Sequence, residues 1–268
     1  MTLAHDLLGS SLAAYLGYTI TSGLRYFVVA GIIYWLLYLR FRDRFIANHI
    51  QEEFPSNDEV AYQIRWSLAT ILATGLFSLL LYMLVSWGWT RMYFDVAERG
   101  WPYFFFSILI GIAGYDAFIY WQHRLLHMPW WYENIHYIHH RAENPTPFAL
   151  FTFHPIEHFM GNAYYVLFVM LVPVQPIAFG AVLVFFLIFG VLAHSGYEFF
   201  PAGFTRHRLL GWVNTSTHHN MHHTHDGCNY GNWFNLWDRL MGTNHPGYHE
   251  HFDAIKARVQ PAPTQPAL

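Results

Sequence analysis

Histidine is the residue type whose number and placement in this sequence point to chemistry. The chain has 19 histidines, more than its 14 lysines and arginines together, and all but His5 and His49 lie between His123 and His251. Imidazole nitrogens bind Zn, Cu, Fe and Ni. Many imidazoles crowded together without a metal would each need another hydrogen-bond partner at low dielectric. The clustered excess therefore predicts a metal centre.

Three motifs supply most of the candidate ligands. His123 and His127 are four residues apart, so both rings can face one site from a helix. HYIHH (136–140) and HNMHH (219–223) share a spacing in which the two adjacent rings differ by about 100° around a helix and can serve two neighbouring metals. His194 ends an apolar segment and is expected to enter from the membrane side. The predicted ligands are His123, His127, His136, His139, His140, His194, His218, His219, His222 and His223.

The number of candidate imidazoles favours two ions with about four or five nitrogens each, because zinc, for example, usually takes four ligands. Structural zinc sites favour cysteine, and Cys228 is the single cysteine, which also excludes an intrachain disulfide. A carboxylate-type di-iron bundle would need Glu-x-x-His pairs, which are absent from these motifs. Spacing alone does not choose among the metals that imidazole accepts.

Asp116 and Tyr120 are candidates for a supporting catalytic role. They precede His123 by seven and three residues, on about the same helix face. An acidic residue inside an apolar helix is a functional hypothesis by default, and ligating histidines commonly donate their free N–H to a carboxylate. The alternative for Asp116 is a helix-end pair with an arginine. Asp238 is a further candidate for orienting a ligand.

Composition and periodicity predict a membrane protein. Hydrophobic residues make up 54% of the chain and charged residues only 12%, against about 25% charged in ordinary soluble domains. Apolar segments at about 18–39, 64–87 and 102–122 each approach the ~20 residues that a spanning helix needs. A fourth, at 159–194, is interrupted by Pro173 and Pro176 and predicts a tight helical hairpin, with a re-entrant or deeply tilted pair of helices as the alternative. The net charge of -3 gives no reason to expect a nucleic-acid partner.

Arginine placement predicts the orientation. If Arg40, Arg42 and Arg44 lie in the cytoplasm, most other basic residues do so too, and Arg91 and Arg99 lie in a short outer loop. Segments 122–158 and 195–268, the richest in histidine, then share the cytoplasmic side. We therefore predict an all-α, multi-pass membrane bundle with a cytoplasmic histidine-rich helical cap. Residues 1–100 would supply N-terminal spans, 101–250 the catalytic region, and 251–268 a C-terminal tail.

The same residues carry a resemblance to a known family, the fatty acid hydroxylase/sterol desaturase superfamily. The matching segments are YDAFIYWQHRLLHMPWWYENIHYIHHRAENPTPFALFTFHPIE, AHSGYEF and THHNMHHTHDGCNYGNWFNLWDRLMGT, within roughly residues 114–243. The resemblance implies a membrane centre of two iron ions that uses O2 and external electrons to hydroxylate or desaturate a lipid, which could be sterol-like, a carotenoid or fatty acyl. NPTPFA and FHPIE favour the sterol-desaturase-like branch.

Carried over by position, the resemblance implies nine of the ten histidines as iron ligands and leaves His218, Glu198 or His154 to complete the set. Electrons would come from a small haem or iron–sulfur protein with its reductase, because the chain has no G-x-G-x-x-G segment for a nucleotide cofactor. Two alternatives stay open. One is a zinc-dependent membrane hydrolase, and the other is a non-enzymatic membrane protein that binds metal.

Overall fold

The protein is built from helices joined by short turns. Its structure is a computed structural model that describes residues 2–225 and 227–259, in which no strand occurs and only two isolated bridges form, His49 with Tyr197 and Val213 with Phe234. Of the predicted C-terminal tail at 251–268, residues 251–259 instead form the end of the last helix, and residues 260–268 lie outside the described part of the chain. The α-helices are α1 (Thr2–Tyr34), α2 (Arg42–Phe45), α3 (Asn57–Ser86), α4 (Gly100–Leu126), α5 (Pro129–Trp131), α6 (Tyr137–His140), α7 (Pro155–Leu171), α8 (Pro176–Ala193), α9 (Ser216–Thr224), α10 (Leu236–Met241) and α11 (Tyr248–Val259).

Four helical segments are long and apolar enough to cross a bilayer. They comprise Ser10–Arg40, in which α1 runs on into a π-helical turn, together with α3, α4 and α8. Most of their side chains are not buried in the protein, as expected where lipid is the solvent. The chain is therefore an integral membrane protein, and the three spans predicted before residue 123 are confirmed as helices.

The interrupted fourth segment forms two helices, α7 and α8, that are separated at the predicted proline break. α7 ends at Leu171 and α8 begins at Pro176, where proline occupies the first helical position and Gln175 Oε1 accepts from the backbone N–H of Ile177. α7 has 17 residues, which is short for a full crossing. Both α7 and α8 pack against α4. A Cβ on Gly111 would lie 2.8 Å from Val182 Cγ2, so only glycine permits this approach.

A cap of short helices and loops covers the end of the bundle where α4 and α8 finish. Thr215 caps α9 by accepting from the backbone N–H of His218. α11 packs on α9, and its Lys256 Nζ donates to the carbonyl of Glu198 at 3.0 Å. Arg258 donates to the carbonyl of His49 at 3.1 Å, which ties the cap to the loop after α1. These contacts hold the histidine-bearing segments together.

Candidate metal centre

Five histidines form one cluster, hereafter the five-histidine cluster: His123, His127, His136, His140 and His222. One nitrogen from each lies within 4.8 Å of the others. The Nε2 atoms of His123 and His136 are 3.1 Å apart, and His222 Nε2 lies 3.0 Å from His140 Nε2 and 3.3 Å from His127 Nε2. The rings therefore present the same nitrogen to a common centre.

Four more histidines form the adjacent four-histidine cluster: His139, His194, His219 and His223. All four are buried. His194 Nε2 lies 2.8 Å from His219 Nε2 and 3.5 Å from His139 Nε2, and His223 Nε2 lies 3.3 Å from His219 Nε2. The set has the number and kind of donors that one metal ion takes from protein side chains.

Sequence-adjacent histidines belong to different clusters. His139 and His140 end α6, and the helical turn between them sends one ring to each cluster. His222 and His223 on α9 are divided in the same way. Each of these two short helices thus contributes histidines to both clusters, as the HxxHH spacing predicts.

Hydrogen bonds at the opposite ring nitrogen orient several of these side chains. In the five-histidine cluster, Nδ1 of His123 lies 3.0 Å from the Tyr230 carbonyl, and Nδ1 of His222 lies 2.7 Å from the Cys228 carbonyl. In the other cluster, His194 Nδ1 lies 2.7 Å from the Gly190 carbonyl. Because a carbonyl only accepts, each Nδ1 carries the proton and each Nε2 directs a lone pair inward.

The electrostatics of both clusters suit a cation. Burial, followed by the neighbouring rings, lowers the pKa of His127 to about 2 and lowers the pKa values of His139 and His222 well below their usual range. These imidazoles are therefore neutral at physiological pH. Neutral imidazoles whose lone pairs converge fit metal ions, which would supply the missing partner at the centre of each cluster.

Comparison with known proteins places this donor set in a family. The fatty acid hydroxylase family model matches residues 108–243, which include all nine clustered histidines. The chain belongs to the fatty acid hydroxylase family. This agrees with the resemblance carried by the histidine motifs.

Curated members of the family align over most of the chain. A Delta(7)-sterol 5(6)-desaturase of Gibberella zeae is 30% identical over 82% of this chain and 64% of its own length. Lathosterol oxidase of Homo sapiens is 29% identical over 81% of this chain and 70% of its own length. A Delta(7)-sterol 5(6)-desaturase of Leptosphaeria maculans is 32% identical over 81% and 57%, respectively. The chain thus spans between 57% and 70% of the length of these relatives. No solved structure matches it.

Glu157 is a functional candidate that the sequence analysis missed. Its Oε1 lies 2.8 Å from His136 Nδ1, and both side chains are buried. Burial raises the pKa of Glu157. The residue stands in the family segment FHPIE, so the signal was present, but 21 residues separate it from His136. The carbonyls of Tyr230, Cys228 and Gly190 were also missed, because a backbone acceptor leaves no mark in residue type.

Asp116 and Tyr120 contact neither cluster. Asp116 Oδ1 accepts from the backbone N–H groups of Trp233 and Phe234 at 2.8 and 3.2 Å. The predicted contact with a histidine is not formed, because seven residues of helix place Asp116 roughly 10 Å below His123. The alternative arginine pair is not formed among the described residues either. Tyr120 hydroxyl lies 2.9 Å from Thr243 Oγ1. Both side chains support the segment 230–243.

His218 lies outside both clusters, although it is the neighbour of His219. Its Nε2 is 3.2 Å from Asn244 Oδ1 and 3.7 Å from Asp238 Oδ2. Asp238 itself accepts from the backbone N–H groups of Tyr230 and Gly231 at 2.8 and 2.7 Å. It therefore fixes the segment whose carbonyl orients His123.

The other two candidates for a tenth ligand have local partners. Glu198 Oε2 accepts from the Thr217 hydroxyl at 2.7 Å and from its backbone N–H at 3.1 Å. His154 caps α7 by accepting from the backbone N–H of Ile156. Neither joins a cluster, so nine histidines make up the candidate centre in the described part of the chain.

A cavity of about 190 Å³ connects the clusters with the interior of the bundle. Helices α1, α3, α4, α7 and α8 contribute its largely apolar wall, with side chains such as Phe77, Phe179 and Leu183. Histidines of both clusters, including His123 and His194, line the same cavity. An apolar molecule inside the bundle could therefore reach the clusters without entering water.

Proposed function

We propose that this protein oxidises a membrane lipid at a C–H bond, using O2 and two iron ions held by the two histidine clusters. The observation that carries the proposal is the convergence of nine imidazoles, in two adjacent clusters, on a largely apolar cavity within the membrane bundle. The iron ions, when bound, would supply the redox chemistry by which O2 attacks an unactivated C–H bond. Iron is preferred to other metals on the strength of the family.

The residues of the chain would provide ligation, orientation and exclusion of water. Nδ1 hydrogen bonds of His123, His136 and His222 would hold their Nε2 atoms toward one ion. His139, His194, His219 and His223 would hold the other. The cavity wall would bind the lipid and keep bulk water from the reacting bond.

The reaction balances with two electrons and two protons from outside the chain. Hydroxylation would place one oxygen atom of O2 in a new C–O–H group and the other in water. Desaturation would remove two hydrogen atoms from adjacent carbons and place both oxygen atoms in water. We propose a small haem or iron–sulfur protein, with its reductase, as the electron donor. The names of the relatives favour a sterol-like lipid over a carotenoid or fatty acyl chain.

The reaction is tested with purified, iron-loaded protein, a reductant system, sterol-containing lipids and isotopically labelled O2. Label in the lipid would indicate hydroxylation, whereas a new double bond with label only in water would indicate desaturation. His222→Ala should abolish product, because it removes a nitrogen in contact with His127 and His140. His251→Ala, an exposed histidine outside both clusters, serves as the matched control. Product formation by His222→Ala, or no O2 uptake by fully loaded wild type, would overturn the proposal.

We also propose that the clusters face the cytoplasm, as the arginine distribution favours. Reporter fusions at Arg99 and at Leu268 should report opposite sides of the membrane. The same side for both would contradict the orientation and the number of spans.

A further inference from the structure

Among the polar side chains that line the largely apolar cavity, one group lies beside the candidate metal centre. Gln122 on α4, Thr74 on α3, and His158 and Asn162 on α7 all line it. A polar group in a membrane-embedded cavity is costly unless it has a partner, and polar groups that converge in an apolar pocket commonly fix a ligand's orientation. We call these four residues the polar patch.

Three members of the polar patch hold one another in place. His158 Nε2 lies 2.8 Å from Thr74 Oγ1 and 2.9 Å from Asn162 Nδ2. Asn162 Nδ2 also donates to the carbonyl of His158 at 2.7 Å. The side chains thus form a fixed arrangement across α3 and α7.

Gln122 has an acceptor without a partner. Its Nε2 donates to the carbonyl of Glu157 at 3.4 Å, which directs the amide oxygen away from that carbonyl. Oε1 is buried and has no hydrogen-bond partner in the described chain. A Cβ built on Gly161 would lie 3.5 Å from this oxygen, so the small residue leaves space beside it. A buried acceptor that stays unpaired costs free energy, so a hydrogen-bond donor is expected there, and an O–H group is the neutral donor that a lipid commonly offers.

The polar patch lies next to the metal centre along two helices. Gln122 precedes His123 in α4, and His158 follows Glu157, whose carboxyl group contacts His136. A lipid whose hydroxyl group reached the patch would therefore present carbons near that hydroxyl, rather than those of a distant tail, to the five-histidine cluster.

We infer that the polar patch is a subsite for a hydroxyl group of the lipid, with Gln122 Oε1 as the acceptor that selects and positions a lipid alcohol. This inference rests on the proposed function for the identity of the reaction, but the binding step does not depend on turnover. It makes Gln122 a determinant of specificity and of the position that is oxidised.

The experiment measures equilibrium binding of two radiolabelled probes, lathosterol and its methyl ether, to the metal-loaded, detergent-purified protein. The ether keeps the ring system and the oxygen but has no O–H to donate. Wild type should bind the alcohol about tenfold more tightly, the ratio expected for one buried hydrogen bond and an acceptor left unpaired. Gln122→Met, of similar length but without the amide, should bring the ratio close to one by weakening the alcohol alone.

A matched control separates the hydrogen bond from general packing. Ile119 lies nearly one turn before Gln122 on α4 and lines the same cavity. Ile119→Val should change the affinities of both probes by the same factor and preserve their ratio. A variant that did not fold would leave the wild-type ratio as the deciding measurement.

Three results would overturn the inference: equal affinities of wild type for the two probes, no binding of either probe, or a ratio that persists in Gln122→Met. The last would mean that the ether is excluded by its bulk, or that water satisfies the amide oxygen. Discrimination between the probes without any product in the turnover assay would retain the subsite and reject the proposed reaction. The two failures are therefore distinguishable.

Discussion

The two histidine clusters differ in how their rings are held. In the five-histidine cluster, Nδ1 atoms of His123, His136 and His222 have partners on three separate segments: the Tyr230 carbonyl, the Glu157 carboxyl group and the Cys228 carbonyl. In the four-histidine cluster only His194 has such a partner, the Gly190 carbonyl. The Nδ1 atoms of His139, His219 and His223 are buried without a hydrogen-bond partner in the part of the chain that the structure describes.

This difference has a physical consequence for metal binding. A partner at Nδ1 fixes the tautomer and the ring orientation before the metal arrives, and its loss typically costs 10- to 100-fold in affinity. Rings of the four-histidine cluster rely more on packing, as where His139 lies 4.7 Å from the Phe153 ring. We therefore expect the five-histidine cluster to bind its ion more tightly.

The largest expected effect is a loss of metal when one candidate ligand is removed from either cluster, which tests the two clusters separately. Wild type should hold about two ions per chain, one per cluster. His219→Ala, which leaves three donors, should reduce this to about one, and His222→Ala, which leaves four donors but removes the nitrogen that contacts both His127 and His140, should lower it toward one. Each substitution opens a coordination position and frees neighbouring rings. Metal analysis of the purified variants gives the count.

A neighbouring histidine provides the control for this experiment. His218 is adjacent to His219 on α9 but contacts Asn244 rather than the cluster. His218→Ala should keep both ions. Loss of an ion from His218→Ala, or full occupancy in His219→Ala, would contradict the assignment of the two side chains.

The second prediction concerns the ring partner supplied by a carboxyl group. Glu157→Ala should lower the metal affinity of the five-histidine cluster about 10- to 100-fold, because His136 loses the acceptor of its Nδ1 proton. The four-histidine cluster should be unaffected. Chelator competition should then show that the difference in metal affinity between the five-histidine and the four-histidine cluster is smaller than in wild type, or reversed.

The conservative change Glu157→Gln tests whether metal binding depends on the hydrogen bond that residue 157 accepts from His136 or on the negative charge of Glu157. The amide oxygen can still accept from His136 Nδ1, so an effect much smaller than that of Glu157→Ala is expected. Equal losses in both variants would show that the negative charge, rather than the hydrogen bond, supports this cluster.

Much of this arrangement could be predicted from local sequence pattern. The apolar segments predicted the long apolar helices, Pro173 and Pro176 predicted the break between α7 and α8, and the HxxHH spacing predicted that adjacent rings face different clusters. These features depend on helical periodicity, which is set by neighbours a few residues away. Local pattern also grouped His218 with the nine clustered histidines, because His218 and His219 cannot be distinguished without knowing the rotation of α9.

The supporting contacts could not be predicted in the same way. Asp116 stands on about the same helix face as His123, yet its partners are backbone groups of Trp233 and Phe234, more than 100 residues away. Glu157 reaches His136 only because α7 enters the bundle beside the cap. Such pairs depend on tertiary packing, which side-chain type and sequence spacing alone do not predict.

The third prediction is a loss of stability in mild acid. Burial keeps the pKa values of His139, His219 and His223 well below the usual value of 6.5. Below pH 6.5 the unfolded chain therefore binds protons that the folded chain does not, and the free energy of unfolding falls as pH falls. The slope is on the order of 1 kcal/mol per pH unit for each such histidine.

Bound metal should make the free energy of unfolding depend more steeply on pH, because protons compete with the metal for the same nitrogens. Metal retention and the thermal unfolding midpoint, measured between pH 7.5 and 5.5, should both decline, with the ion of the four-histidine cluster released first. A midpoint that stayed constant or rose toward pH 5.5 would show that these imidazoles are not held neutral in the folded protein.

The smallest expected effect is that of Asp116→Asn. Asp116 Oδ1 accepts two backbone N–H bonds, and an asparagine oxygen can accept the same pair, so metal content should stay at the wild-type value. Asp116→Ala would leave those two donors unpaired at a cost of about 1–3 kcal/mol each. Trp233 and Phe234 follow Tyr230, whose carbonyl holds His123, so disorder there would reach the five-histidine cluster first. The measurement is metal content together with the thermal midpoint of both variants. If Asp116→Asn lost an ion as His222→Ala is expected to do, Asp116 would orient a ligand directly, as the sequence first suggested, and the contact seen with the 233–234 backbone would not be its main role.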